Sequence, residues 1–425
     1  MKLQQAGNKV KKISEIFSEY FEHLKLFKSN AKYYLLSAFI MNLSLSGFSL
    51  LFNLFLKELN FPETIIGYRL SIYSLGSLII AVPATLSAKR RDFRSIFSTS
   101  ILILVITSLS QIFFTELGPL LTATIIGGMF TTYYSIAVAP FIMRNTTKKE
   151  RTYLFSLNYA NVLAAGIFGN IIAGFLPGLF MKLKFPVVQS YEISLMLMAL
   201  SSFFALIFVS KMNEDRIPDK QAKLKDIFKI RDPSLLLKVT LPSFIVGMGA
   251  GLIIPFMNLY FKNRINLPVE KIGIIFSISQ IFMFLGILLG PPLAKKFGKI
   301  RTVVITQFLS IPFMLILAFM EQYLLVAIAF FMRASLMNMA QPLTTNFAME
   351  AVPENEQEIT NSTLSVAWTF SWTITTAIGG NLIQHYGFTL PLVIAALLYV
   401  ISSILYFIFF FKVEKIGEEL EWSGN

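Results

Sequence analysis

Residues 52–67 read FNLFLKELNFPETIIG, and residues 257–273 read MNLYFKNRINLPVEKIG, about 205 positions later. Four residue types recur in the same order in the two stretches, as Asn53, Lys57, Pro62 and Gly67 and then as Asn258, Lys262, Pro268 and Gly273. The offset persists downstream, where PATLSAKRRDFRS (83–95) aligns with PPLAKKFGKIRT (291–302). A repeat far longer than the roughly 20–50 residues of a solenoid unit indicates a chain built of two similar halves.

The composition places both halves in a membrane, because 55% of the 425 residues are hydrophobic and only 14% are charged. A helix needs about 20 apolar residues to cross the hydrocarbon core. Apolar segments of suitable length lie at 33–57, 64–88, 95–115, 118–142, 153–181, 192–211, 235–262, 271–294, 300–320, 323–347, 358–384 and 388–411. Lipid cannot satisfy an open sheet edge, so each segment is predicted to be a helix. The sequence therefore predicts an all-α integral membrane protein with twelve transmembrane helices, forming two six-helix bundles related by a parallel pseudo-two-fold repeat.

Polar stretches divide this arrangement into five parts. We expect a tail at 1–32, a first bundle at 33–211, a linker at 212–233, a second bundle at 234–412 and a C-terminal tail at 413–425. In the first tail, apolar side chains recur at helical spacing among Lys and Glu, which favours either an amphipathic helix on the membrane surface or a disordered tail.

The basic residues orient the chain. Most of the 37 Lys and Arg residues fall in the two tails, the linker and the loops that follow even-numbered spans, such as Lys89 and Arg90. By the positive-inside rule, both termini and the linker are predicted to be cytoplasmic. The net charge of +13 is then a topology signal, and no nucleic-acid partner is expected. The chain has no Cys, which excludes a disulfide framework and a thiolate metal site. No cofactor or metal is expected.

The loop after the eighth span carries a recognisable motif. GPPLAKKFGKIR (290–301) resembles the signature of the major facilitator superfamily, which follows the second helix of each half. Gly298, Lys299 and Arg301 fit the signature, whereas Lys295 stands where the family has Asp.

The first half carries a second, weaker copy of the motif. LSAKRRDFR (86–94) has Ala88 at the Asp position and Arg91 at the Gly position. The resemblance covers essentially the whole chain and implies the fold of that superfamily, working as a monomeric secondary transporter by alternating access. It also implies that helices 1, 4, 7 and 10 line a central cavity flanked by helices 2, 5, 8 and 11.

Polar side chains within the spans are the candidate site residues, because they are costly in lipid. They form stripes on spans 1, 10 and 11, with further polar residues on spans 2, 4, 5 and 8. The residues that we predict to bind substrate are Asn42, Tyr134, Arg333, Asn338, Gln341, Trp368 and Trp372. The alternative is that these groups only form hydrogen bonds between helices.

Two arginines lie inside the predicted spans. Arg333 is about 16 Å from the outer end of its span at 1.5 Å per residue, and no Asp or Glu lies at comparable depth. It is therefore predicted to be neutralised by an anionic substrate, backbone carbonyls, water or the faces of tryptophan rings. Arg69 is only about one turn from the outer end, so its side chain is expected to reach the membrane interface.

These features predict a transporter of a small organic solute, neutral or anionic, in a bacterial-type inner membrane. A multidrug efflux transporter is the main alternative, since a cavity rich in Phe and Met is adaptable. A non-transporting sensor or scaffold is a third possibility. An enzyme is not expected, because the spans lack clustered carboxylates, His or a nucleophile with its base. The lack of a deep acid also argues against proton antiport through a buried carboxylate.

Overall fold

The computed structural model describes residues 27–213, 233–353 and 356–410. Within these ranges the chain forms twelve long helical elements: α1 Ser29–Glu58, α2 Glu63–Arg90, α3 Phe93–Phe113, α4 Leu117–Asn145, α5 Lys148–Lys182, α6 Val187–Ser210, α7 Pro233–Arg264, α8 Val269–Phe297, α9 Lys299–Phe319, α10 Tyr323–Glu350, α11 Gln357–Tyr386 and α12 Thr389–Phe410. The predicted fold is confirmed. The first tail up to residue 26, the linker at 214–232 and the chain from residue 411 lie outside the described residues.

One of the twelve helices is unusually polar. Eleven are long and apolar enough to cross a membrane by length and composition. The exception among the described helices is α11, which has 30 residues but carries Asn, Ser and Thr along most of its length. It still packs against both α2 and α7, so it is an integral part of the bundle. Its polarity therefore reflects what it faces inside the protein.

The two motif loops differ in backbone conformation. Gly298, between α8 and α9, has φ 92° and ψ 158°, a region that is essentially restricted to glycine. Arg91, between α2 and α3, has φ −116° and ψ 158°, which any residue adopts. The turn after α8 therefore requires glycine at position 298, whereas the turn after α2 accommodates arginine at position 91.

The repeated asparagines meet where the two halves join. Asn53 on α1 donates from Nδ2 to the carbonyl oxygen of Pro255 at 2.9 Å, and Asn258 on α7 donates to the carbonyl oxygen of Leu50 at 2.8 Å. The Nδ2 atom of Asn53 also lies 3.4 Å from Oδ1 of Asn258. Both side chains are 3% exposed. We call this pair the amide clasp.

The break in α7 helps to form the clasp. A 3-10 turn at Ile254–Phe256 interrupts the helix, and a π-helical turn follows at Tyr260–Arg264. A 3-10 turn inside a helix changes the hydrogen bonding of nearby carbonyls. The carbonyl of Pro255, inside that turn, is the one that accepts from Asn53.

The repeated glycines also lie between the halves. A β-carbon built on Gly67 of α2 would lie 2.9 Å from the Cα of Gly380 on α11, and one on Gly273 of α8 would lie 2.9 Å from the Cα of Gly174 on α5. No side chain fits at that distance, so the helix backbones touch at these points. Small residues permit such close approach between membrane helices.

The contacts described above share one end of the molecule. The amide clasp and the two glycine contacts, together called the seal, lie in the part of each helix nearest the α1–α2 and α7–α8 loops. An ion pair between Lys262 and Glu58, with a 3.4 Å N–O distance, extends the seal to the surface. Both asparagines and both glycines of the repeat are therefore interface residues. Of the two lysines, Lys262 bridges the halves, whereas Lys57 pairs with Glu63 of its own half at 2.7 Å.

Arg69 does not reach the membrane interface, and that expectation is wrong. The side chain is 7% exposed and lies within the N-terminal bundle. It donates from Nε and Nη2 to Oε1 of Gln111 on α3, at 3.2 and 2.8 Å, and its guanidinium lies 4.3 Å from the ring centroid of Phe52. An amide oxygen and an aromatic face thus replace the water that the guanidinium would otherwise reach.

Candidate functional site

A cavity of about 650 Å³ lies inside the C-terminal half. All the residues that line it come from α7 to α12, and they extend from the middle of the bundle toward the end opposite the seal. Five of the predicted site residues line this cavity: Arg333, Asn338, Gln341, Trp368 and Trp372. The structure therefore brings together the predicted residues of α10 and α11.

Arg333 is the charged residue among those that line the cavity. It lies ten residues past Tyr323, which places it about 15 Å along α10 from the sealed end. The side chain is 5% exposed, and no ion pair among the residues that the structure describes includes it. The guanidinium carbon lies 5.9 Å from the ring centroid of Phe330, and the guanidinium group hydrogen-bonds the hydroxyl of Tyr399. Its Nε atom has no hydrogen-bond partner among the residues that the structure describes.

Two tryptophans on α11 form part of the cavity wall. Trp368 and Trp372 are one turn apart, and their ring centroids are 6.2 Å apart with a 34° tilt. Within the described part of the chain, the buried Nε1 atom of Trp372 has no hydrogen-bond partner. A β-carbon on Gly247 would lie 3.3 Å from Cε3 of Trp368, and one on Gly251 would lie 3.2 Å from Cα of Trp372. The α7 glycines thus let α11 approach closely enough to place both indoles at the cavity.

The other polar residues of α10 are partly satisfied within their own helix. Asn338 donates from Nδ2 to the carbonyl oxygen of Ala334 at 2.8 Å, and the hydroxyls of Thr344 and Thr345 donate to the carbonyl oxygen of Gln341. These bonds satisfy one of the two N–H donors of Asn338 and the hydroxyl donors of Thr344 and Thr345 without a partner from another helix. Side-chain oxygen atoms remain at the cavity wall as acceptors.

The predicted residues of the N-terminal half lie elsewhere. Asn42 on α1 donates to the carbonyl oxygen of Ala38 on its own helix at 2.7 Å. Tyr134 on α4 is 6% exposed, and its ring lies 4.9 Å from that of Phe97. Neither residue lines the cavity of the C-terminal half. Their contact with substrate stays a prediction.

Three polar residues on α9 and α12 were missed by the sequence analysis. Gln307, Tyr399 and Tyr406 line the cavity although their helices were expected only to support it. Gln307 accepts a hydrogen bond from Ser403 at 2.9 Å, and the hydroxyls of Tyr406 and Ser243 lie 2.8 Å apart. A polar stripe of Tyr399, Ser402, Ser403 and Tyr406 on α12 is the signal that could have found them.

A family model identifies the family of this chain. The family model of the Major Facilitator Superfamily matches residues 34–242 and 239–421, one match for each half. The chain belongs to this superfamily. It is a multi-pass membrane transporter and not an enzyme. No curated protein sequence matches the chain.

Solved structures of other superfamily transporters share the fold. The nucleoside transporter NupG is 15% identical, with 90% of this chain and 98% of that chain covered and a TM-score of 0.70. A bacterial homologue of the human lysosomal transporter Spinster, in an inward-facing and occupied conformation, is 12% identical, with 90% and 97% covered and a TM-score of 0.73. The human organic anion transporter TETRAN is 13% identical, with 88% and 99% covered and a TM-score of 0.58. At these identities the likeness establishes the fold alone.

Proposed function

We propose that this superfamily member carries a small organic solute, neutral or anionic, and that Arg333 and its neighbours in the cavity bind it. The observation that carries the proposal is an arginine buried in a cavity whose lining residues include no carboxylate. An unpaired charge inside a membrane protein is expensive and marks a functional site by default. A cation would meet only repulsion from Arg333, so a positively charged solute is disfavoured.

The position of the cavity supports alternating access. The seal closes one end of the molecule, and the cavity extends toward the other end. With both termini in the cytoplasm, as the Lys and Arg distribution predicts, the seal faces outward and the cavity is on the cytoplasmic side. Opening of the seal would then expose the same cavity to the outside. The cavity is formed by one chain, so a monomer suffices.

A multidrug transporter is the second candidate. Met283, Met337, Phe276 and Phe330 line the same cavity. Methionine side chains are flexible and adapt to ligands of different shape. This candidate predicts binding of many unrelated amphipathic compounds, whereas our proposal predicts binding that depends on Arg333.

A thermal-shift screen of the purified protein against sugars, organic anions and amphipathic drugs tests the proposal. A ligand present at 100 times its Kd stabilises the folded state by about 2.7 kcal/mol and so raises the melting temperature. We expect Arg333→Gln to abolish the shift given by the best ligand and Arg333→Lys to restore it only in part, because lysine lacks the planar guanidinium fork.

Arg69→Gln is the matched control, since Arg69 is equally buried but lies in the N-terminal bundle. It should lower the melting temperature without removing the ligand-induced shift. If Arg333→Gln leaves the shift intact, or if cationic drugs stabilise best, the proposal is wrong.

A further inference from the structure

We propose that the solute is an organic monoanion with a flat, aromatic body, whose anionic group is held between Arg333 and Trp372. The inference rests on the proposed function and adds to it the class of substrate. It comes from two unpaired donors, from the charge of the cavity and from the shape of its walls.

The two donors are buried and unpaired. Nε of Arg333 and Nε1 of Trp372 have no hydrogen-bond partner among the described residues, and both side chains line the cavity. Arginine and the indole nitrogen can only donate. Leaving such a group buried and unpaired costs free energy. A ligand that supplies acceptor oxygen atoms to these donors removes this cost and so binds more tightly. Carboxylate and sulfonate groups offer several acceptors at once.

The two donors lie within about 6 Å of each other in depth along the bundle. Arg333 is ten residues from the start of α10, about 15 Å from the sealed end, and Trp372 is 14 residues from the end of α11, about 21 Å from the same end. Both are near the middle of the bundle. In this low-dielectric environment a hydrogen bond to an anionic group is electrostatically stronger than in bulk water.

The charge of the cavity limits the charge of the ligand. Arg333 alone carries charge among the lining residues. One guanidinium neutralises one negative charge, and a dianion would retain an unpaired charge in a medium that solvates it poorly. The cavity therefore fits a monoanion better than a phosphate ester or a dicarboxylate.

Aromatic rings supply part of the cavity wall, beside polar side chains of α8, α10 and α11. Phe276, Phe330, Trp368 and Tyr399 line the cavity together with Trp372. Aromatic rings prefer offset stacking or edge-to-face contact with another ring. A ligand with an aromatic body can stack on these rings while its anionic group meets the buried donors.

Quenching of tryptophan fluorescence by nitroaromatic acids tests the inference. The chain has three Trp residues, and Trp422→Phe leaves Trp368 and Trp372, which both line the cavity. The probes are 4-nitrobenzoate and 4′-nitrobiphenyl-4-carboxylate, and each is compared with its neutral amide. A dianionic probe, 4-nitrophenyl phosphate, tests the limit on ligand charge. Acetate, an anion without a ring, serves as a competitor. We expect at least one acid to bind about tenfold or more tighter than its amide and than the phosphate, and acetate not to displace it.

Variants assign the preference to its donors. Arg333→Gln should reduce the preference for acid over amide to within about twofold, and Arg333→Lys should restore part of it. Trp372→Phe, with Trp368 as the remaining reporter, should weaken the acid more than the amide, because only the indole N–H is lost. Equal affinity of acid and amide overturns the inference, as does an acid preference that survives Arg333→Gln, or no quenching by any probe.

These outcomes are distinct from failure of the proposed function. If the nitroaromatic acids fail but another solute gives an Arg333-dependent thermal shift, the substrate class is wrong and the proposed function stands. If the acids bind with the expected preference but are not carried into proteoliposomes, the binding chemistry stands and the proposed function fails.

Discussion

Replacing Asn258 with alanine should shift the protein away from the sealed conformation. The substitution removes two hydrogen bonds that join the halves: the one from Asn258 to the carbonyl of Leu50, and the one from Asn53 to Asn258. Hydrogen bonds between membrane helices contribute about 0.6 kcal/mol each. The loss of about 1.2 kcal/mol corresponds to a roughly eightfold fall in the ratio of sealed to opened molecules.

Double electron–electron resonance between two spin labels measures this ratio. The absence of native Cys allows labels at Lys182 and Asn263, which are exposed at the sealed ends of α5 and α7. Opening of the seal separates the two halves there, so the longer-distance population should grow in Asn258→Ala. Asn258 also accepts from the backbone nitrogen of Leu259, but that bond is local and present in both conformations.

Ser44→Ala is the matched control for this experiment. The Ser44 hydroxyl donates to the carbonyl of Met198 and accepts from Ser202, and both bonds lie within the N-terminal half. Their loss lowers stability without favouring either conformation. An unchanged distance distribution in Asn258→Ala, or an equal shift in Ser44→Ala, would refute the role of the amide clasp.

Three further predictions concern the turn, the topology and the coupling. Gly298→Ala should lower the free energy of unfolding by about 1–3 kcal/mol, seen as a lower melting temperature, because the backbone conformation of Gly298 is nearly restricted to glycine. Arg91→Ala, in the equivalent turn with φ −116°, should lower it far less. Similar losses of stability in the two variants would contradict this prediction. Cysteines at Asp219 and Asn266 should react with a membrane-impermeant reagent from opposite sides, and labelling from one side would disprove the predicted topology. An imposed pH step should change transport only modestly. Any effect should be reduced by Glu→Gln at Glu58, Glu63 or Glu350, each of which is ion-paired with a lysine at the surface. Strong proton-driven accumulation in all three variants would show that the proton-coupling group lies elsewhere.

The repeat was sufficient to predict the fold, and the structure shows why it is visible in the sequence. Asn53, Asn258, Gly67 and Gly273 lie between the halves, where an amide must find a partner and a glycine must let two backbones touch. Such positions tolerate few residue types, so they stay alike in both copies. The alternation of apolar and polar stretches gave the helices because membrane spans have a fixed length.

The site was only partly predictable, because a polar stripe does not say what it faces. The stripes of α10 and α11 meet at the cavity, but Asn42 bonds its own helix and Tyr134 packs against Phe97. Tyr399 and Tyr406 were overlooked because the family resemblance implies that α12 neither lines nor flanks the cavity. The position of the cavity depends on how side chains such as Phe97 pack between helices, and the periodicity of the sequence does not determine that packing.

Uptake into proteoliposomes tests the central claim most directly. The solute that gives the largest Arg333-dependent thermal shift would be supplied in labelled form to vesicles holding wild type, Arg333→Gln or Arg69→Gln at equal folded content. We predict saturable uptake by wild type and by Arg69→Gln, and uptake reduced by about tenfold or more in Arg333→Gln. Uptake by Arg333→Gln at the wild-type rate, or wild type that binds the solute without carrying it, would contradict the account.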